Sequence, residues 1–172
     1  MRSPLRPSLA AALALAAACH PSVPFELERV LSLTIPAGRG SWPVEVDLSG
    51  DGMLWERRGD VDGIDVDRVR AEVADVFLGN RAASVVFELR FRGEGAPADG
   101  SEDVVVLGPS ELAVRVGGAV EMPGAPGLGR LLLGALHGSG RFTAIVSGET
   151  AEPMSARVRV VVEGSARVEI GG

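Results

Sequence analysis

Apolar side chains recur at every second residue along most of this chain, and that period leaves little choice of backbone. Trp42, Val44, Val46 and Leu48 alternate with Glu45 and Asp47; Val85, Phe87, Leu89 and Phe91 alternate with Val86, Glu88, Arg90 and Arg92. Val158, Val160 and Val162 alternate with Arg157 and Arg159, and Ala166, Val168 and Ile170 with Arg167 and Glu169. Successive side chains of a strand point to opposite faces, so each run buries one face and wets the other.

Turn signals punctuate these runs. Ser49-Gly50-Asp51-Gly52 predicts a turn after which Met53–Glu56 returns as a hairpin partner, and Glu163-Gly164-Ser165 predicts another turn. Further strands are expected at Leu27–Ile35, Val104–Leu107, Leu112–Val116 and Arg141–Ser147. Val66, Val69, Val73, Val76 and Phe77 fit helical spacing with Asp67 as N-cap, yet Val69, Ala71 and Val73 also alternate with Arg68, Arg70 and Glu72. In so valine-rich a chain the strand reading is preferred. Leu128 to Leu136, between Gly127 and Gly138, is expected as a helix. Its apolar face of Leu128, Leu131, Leu132, Ala135 and Leu136 would close one end of the fold. The expectation is an all-β domain over residues 26–172: an antiparallel β-sandwich of eight or nine strands with one short helix.

The N-terminus reads differently. Arg2 and Arg6 precede an apolar run from Leu9 to Ala18, which ends at Cys19, the chain's single cysteine. A positive region, a short apolar core and small residues before a cleavage point form a secretory signal, not a membrane span. The Ala16-Ala17-Ala18-Cys19 ending resembles the lipobox of bacterial lipoprotein precursors; Ala16 stands where that family prefers Leu, with Leu15 one residue further back. The resemblance implies a signal peptide over 1–18, a lipidated Cys19 and a tether over 19–25. An ordinary secreted protein, cut after Ala18, would leave a lone cysteine with no bridge to form. His20, rather than Asp, follows the cysteine, which in that family implies the outer membrane, facing the periplasm or the cell surface. The membrane, through the anchor, and an envelope protein are then the expected partners. A looser resemblance, to the LEA-type-2 β-sandwich, rests on Gly79-Asn80 before Ser84–Arg92 and Leu131-Leu132 before Arg141–Ser147; the Asn-Pro-Asn of that family is absent.

Composition narrows the chemistry. All 17 basic residues are arginine, which excludes a Gly-Lys-Ser/Thr phosphate loop, a Schiff-base lysine and a Ser–Lys dyad. The formal charge is −6, and a net acidic surface repels phosphate backbones, so nucleic acid is not an expected partner. Asp60, Asp62, Asp65 and Asp67 form the densest polar cluster and are the candidate metal site, for calcium. Counted from Asp60, the EF-hand register fails: Gly63 falls at the fourth position and Ala71 at the twelfth. No other cofactor is expected. Any Ser–His–Asp arrangement in the folded part must use His137, and neither Ser139 nor Ser147 is framed as Gly-x-Ser-x-Gly.

No catalytic residues are therefore assigned. The leading expectation is a lipid-anchored, non-enzymatic envelope protein acting by binding or assembly. One alternative is a module for a small apolar or lipid-like ligand, with the Leu128–Leu136 helix as lid. It requires an apolar cavity of roughly 300 Å³ or more. The other is a calcium-dependent adhesion or stability module.

Overall fold

A computed structural model describes residues 21–169; Cys19, His20 and Ile170 lie outside them. Eight strands and two helices follow in the order β1 (Ser22–Ile35), β2 (Gly38–Asp47), α1 (Gly52–Glu56), β3 (Val61–Val76), β4 (Ser84–Gly93), β5 (Val104–Ala113), β6 (Ala119–Pro123), α2 (Leu128–His137), β7 (Arg141–Thr150) and β8 (Met154–Val168). They build two antiparallel four-stranded sheets, β1-β8-β3-β6 and β2-β7-β4-β5. The first strand pairs with the last, the second with the seventh, the third with the sixth and the fourth with the fifth. This is one long hairpin rolled up on itself, the connectivity of a jelly roll.

The alternating residues do what their period demands. Val85, Phe87, Leu89 and Phe91 of β4 and Met154, Ala156, Val158, Val160 and Val162 of β8 face each other across the sandwich and are buried. Phe91 and Phe142 stack with ring centroids 4.7 Å apart. Thr150 is the buried polar side chain of this core among the described residues, and its hydroxyl donates to the Glu152 carbonyl at 2.8 Å, with the Ser84 carbonyl within reach as the alternative acceptor at 3.2 Å. The ambiguous stretch around Val69 is a strand, β3, with Val69, Ala71 and Val73 all buried.

Several boundaries differ from expectation. The tether is shorter: Ser22–Phe25 already pair with Gly164–Arg167, and Phe25 is buried. Met53–Glu56 does not return as a hairpin strand but lies in α1, where the Asp51 carbonyl accepts from the Leu54 and Trp55 amides; the partner of β2 is β7. Glu163-Gly164-Ser165 is not a turn. Gly164 sits mid-strand because a Cβ there would stand 2.2 Å from the Asp65 carbonyl oxygen, so only glycine lets β3 come this close. Val104–Leu107 and Leu112–Ala113 fuse into β5, with Gly108 and Pro109 inside it and the mismatch absorbed by register shifts against β4, while Val114–Val116 fall in the bend that follows. Strand β6 is short and not among the expected strands, although its Val120 and Met122 alternate as half-buried residues between exposed ones.

Helix α2 buries Leu128, Leu132, Ala135 and Leu136 and packs on β3, β4, β5 and β7, bridging both sheets. Gly129 permits that seat, since a Cβ would lie 2.0 Å from the Ile64 carbonyl oxygen. On β1, Arg29 occupies an inward position between Leu27 and Leu31. Its guanidinium donates to the Asp51 carboxylate and to the Asp47 carbonyl (2.7 Å), tying the edge of one sheet to the β2–α1 corner of the other.

Every edge strand carries a proline: Pro24 in β1, Pro43 in β2, Pro109 in β5 and Pro123 in β6; the interior strands β3, β4, β7 and β8 carry none. Proline offers no N–H to an incoming strand, so the four edges are blunted against sheet extension. The double variant Pro43→Val/Pro109→Val should self-associate, read as a concentration-dependent rise in mass by light scattering. Leu89→Ala should cost about 2–5 kcal/mol in denaturant unfolding, because Leu89 is wholly buried.

Candidate functional site

The two outward faces of the sandwich differ. On the β1-β8-β3-β6 sheet, Arg159 lies between Glu72 (3.1 Å) and Glu28 (3.9 Å), Arg70 reaches Glu72 (2.9 Å), and Arg68 lies between Glu163 and Glu121. These partly exposed pairs each contribute about 0–1 kcal/mol and make a solvated surface.

The outward face of the β2-β7-β4-β5 sheet is instead a cleft of about 520 Å³, flanked by the β4–β5 loop over residues 94–103. Strand alternation supplies its floor. Arg39 and Ser41 come from β2, Ile145, Ser147 and Glu149 from β7, Val86, Glu88, Arg90 and Arg92 from β4, and Pro109 from β5. Cross-strand register then sets the partners. Arg39 opposes Glu149 and donates to it through Nε (3.0 Å) and Nη2 (2.6 Å). Ser147 opposes Ser41, and its hydroxyl donates to the Ser41 oxygen at 3.2 Å. Arg90 bonds Glu88 two residues back along β4.

At the loop end of the cleft, Arg92 grips Asp103 with two parallel bonds, Nε to Oδ1 at 2.6 Å and Nη2 to Oδ2 at 2.9 Å. Asp103 is only 4% exposed, which makes this the best shielded ion pair of the face. The bond to Asp103 raises the Arg92 pKa above its ordinary value. Asp99 accepts from the Ser101 amide at 2.9 Å, and that bond, joined by the Ser101 hydroxyl, holds its carboxyl below the usual 3.8. Asp47 is lowered in the same way, first by the Ser49 side chain and then by its amide. The cleft thus sets three guanidiniums among four carboxylates, each group engaged within the chain.

The residues singled out by sequence fare variously. Cys19 lies outside the described residues. Asp60, Asp62, Asp65 and Asp67 are not brought together. They are strung along the start of β3, which at about 3.3 Å per residue spreads them over roughly 20 Å. Asp62 and Asp67 each fall on a bulge, where β3 holds one residue more than β8, and Asp62 lies 3.7 Å from Arg167 Nε. Among the described residues no three His, Cys, Asp or Glu side chains gather to hold a metal ion, so the expected clustering of these four side chains is corrected. His137 Nε2 donates to the Val61 carbonyl at 2.8 Å, which fixes its tautomer. The Ser139 hydroxyl goes to Glu94 and that of Ser147 to Ser41, so neither meets His137.

The apolar-ligand expectation is corrected as well. The void between the sheets, lined by Leu27, Leu31, Leu89, Phe91, Phe142 and Val160 among others, measures about 20 Å³. That is no room for a lipid-like molecule, and α2 closes a packed core rather than a cavity. The cleft itself was missed: Glu88, Arg90 and Arg92 read as an ordinary wet strand face, and nothing local in the sequence says which strands lie beside β4.

No family profile and no curated protein matches the chain. Solved structures with a similar strand arrangement include viral ones. The decameric BFDV capsid protein is 10% identical over 86% of this chain and 99% of that one, with a TM-score of 0.49. Desmodium yellow mottle tymovirus is 8% identical over 100% of this chain and 98% of that one (TM-score 0.36), and turnip yellow mosaic virus 7% over 100% and 89% (TM-score 0.36).

Replacing Asp103 with Ala should strip Arg92 of its two acceptors and release the 94–103 loop, seen as faster amide hydrogen exchange there with β7 and β8 still protected. The pH dependence has a defined sign. Asp47 and Asp99 are lowered in the folded state, so their contribution is complete above about pH 4 and is lost as pH falls through the lowered values. Ser49→Ala and Ser101→Ala should each shrink that acid-side loss in melting curves taken between pH 5 and pH 2.

Proposed function

We propose that this is a non-enzymatic, lipid-anchored protein of the cell envelope that acts by binding a partner on the outward face of the β2-β7-β4-β5 sheet. One observation carries the binding half of this reading. The interior is filled, with a void of about 20 Å³, whereas the polar outward face holds an open cleft of about 520 Å³, adjoined past Val86 and Glu149 by a second hollow of equal volume beside Arg81 and Glu152; both are within the size range of ligand sites. A domain built this way presents a wall of strand side chains on its surface rather than an internal cavity.

The anchoring half rests on the signal-like N-terminus and gains support from the topology. Strand β1 begins at Ser22, three residues after Cys19, and the Val168 amide at the end of β8 donates to the Pro21 carbonyl (3.1 Å). A lipidated Cys19 would therefore hold the domain close to the bilayer by the end where β1 starts and β8 stops. One acyl chain anchors reversibly and several hold firmly. The outer membrane is the proposed site, with the domain facing the periplasm or the cell surface.

Intact mass of the protein extracted in detergent from membranes tests the anchor. The expected species begins at Cys19 and carries acyl and glyceryl mass, and Cys19→Ser should move the protein to the soluble fraction. A membrane-free species cut after Ala18 with no lipid would overturn the anchor and leave a secreted binding domain.

A further inference from the structure

We infer that the cleft over the β2-β7-β4-β5 sheet takes a neutral, polyhydroxylated chain, a glycan strand; this rests on the reading of that face as the binding surface. Charge comes first. Arg39, Arg90 and Arg92 are each bonded to a carboxylate, and the face carries one acid more than it has arginines. A phosphate or carboxylate ligand would have to displace an internal acid and then face the remaining ones. A neutral ligand meets no such conflict.

The remaining hydrogen-bonding capacity has a definite character. A guanidinium has five N–H donors, and the bonds to Glu149 and to Asp103 use two each. Carboxylates keep lone pairs beyond those that a single arginine engages. Donors and acceptors therefore stand side by side along the floor, with the Ser41 and Ser147 hydroxyls among them. Sugar hydroxyls both donate and accept, so neighbouring hydroxyls can meet a guanidinium and its carboxylate together. Val86, Ile145 and Pro109 offer apolar contact for C–H faces, and Gly100 leaves room beside Arg92 and Asp103.

The competing macromolecular ligand, an extended peptide added as a strand, lacks a docking edge. Each edge strand carries a proline, and the cleft floor is made of side chains over strands already paired on the β2–β7–β4–β5 ladder. An acidic face with no aromatic side chain lining it likewise offers nothing to a nucleic acid strand.

Affinity electrophoresis tests this with the mature chain carrying Cys19→Ser, in native gels containing dextran, mannan or β-glucan, and in parallel gels containing heparin or polygalacturonate. At least one neutral polysaccharide should retard the chain. Ser147→Trp, which fills the cleft from its floor, should abolish the retardation, and Arg90→Ala should weaken it by about tenfold or more, as expected for loss of a charge-assisted hydrogen bond. Val30→Trp, on the outward face of the other sheet, should leave it unchanged, with all variants checked for an unaltered melting temperature. Retardation by no neutral polysaccharide, by the polyanions alone, or persisting in a folded Ser147→Trp chain would overturn the inference. Because the probe chain carries no lipid, a failure here leaves the membrane anchor standing, and a failed anchor leaves this result intact.

Discussion

Strand β8 is held on both sides along nearly its whole length, by β1 from Ser22 to Ile35 and by β3 from Val61 to Val76. Its inward side chains, Met154, Ala156, Val158, Val160, Val162, Ala166 and Val168, are all buried against the second sheet. With no disulfide among the described residues, this double ladder and the valine stripe beneath it hold the sandwich together. Small β-branched side chains suit the role, because they fit a pleated surface and let the sheets approach without large voids. Where the ladder must bend, β3 takes up the strain in bulges at Asp62, Asp67 and Ala74 instead of interrupting β8.

A packed interior confines the polar chemistry to the two outward faces, and the faces divide the work. On one, arginine and acid alternate in partly exposed pairs that keep a large sheet wetted. On the other, the same residue types are drawn into a cleft, because the 94–103 loop folds against β4 and is pinned by Arg92 to the buried Asp103. Arg29 does the comparable job at the opposite edge, an inward-facing cation that locks the β2–α1 corner and discourages pairing at β1. Together with a proline in each edge strand, these features describe a domain that presents its face and guards its rims.

A rigid face of paired charges suits recognition of something uncharged and rich in hydroxyl groups. Arg92 is already held by two bonds to the shielded Asp103, so that pair loses little side-chain freedom on binding.

Local chemistry sufficed for a good part of this. The period-2 runs at Val85–Phe91 and Val158–Val162 determined strands and which side of each is buried, because alternation is a property of the strand alone. Leu128–Leu136 specified its helix in the same way. What only the tertiary structure decided was who lies beside whom. Gly164 looked like a turn until the Asp65 carbonyl was found where its side chain would be; Met53–Glu56 looked like a returning strand until β7, distant in sequence, took its place beside β2. The four aspartates are close in sequence, and it was bulged pairing with β8 that spread them along β3 and the turn before it. The cleft follows the same rule: Arg39 meets Glu149, and Arg92 meets Asp103, through register and loop closure, long-range choices that burial of the whole core makes and no short stretch of sequence contains.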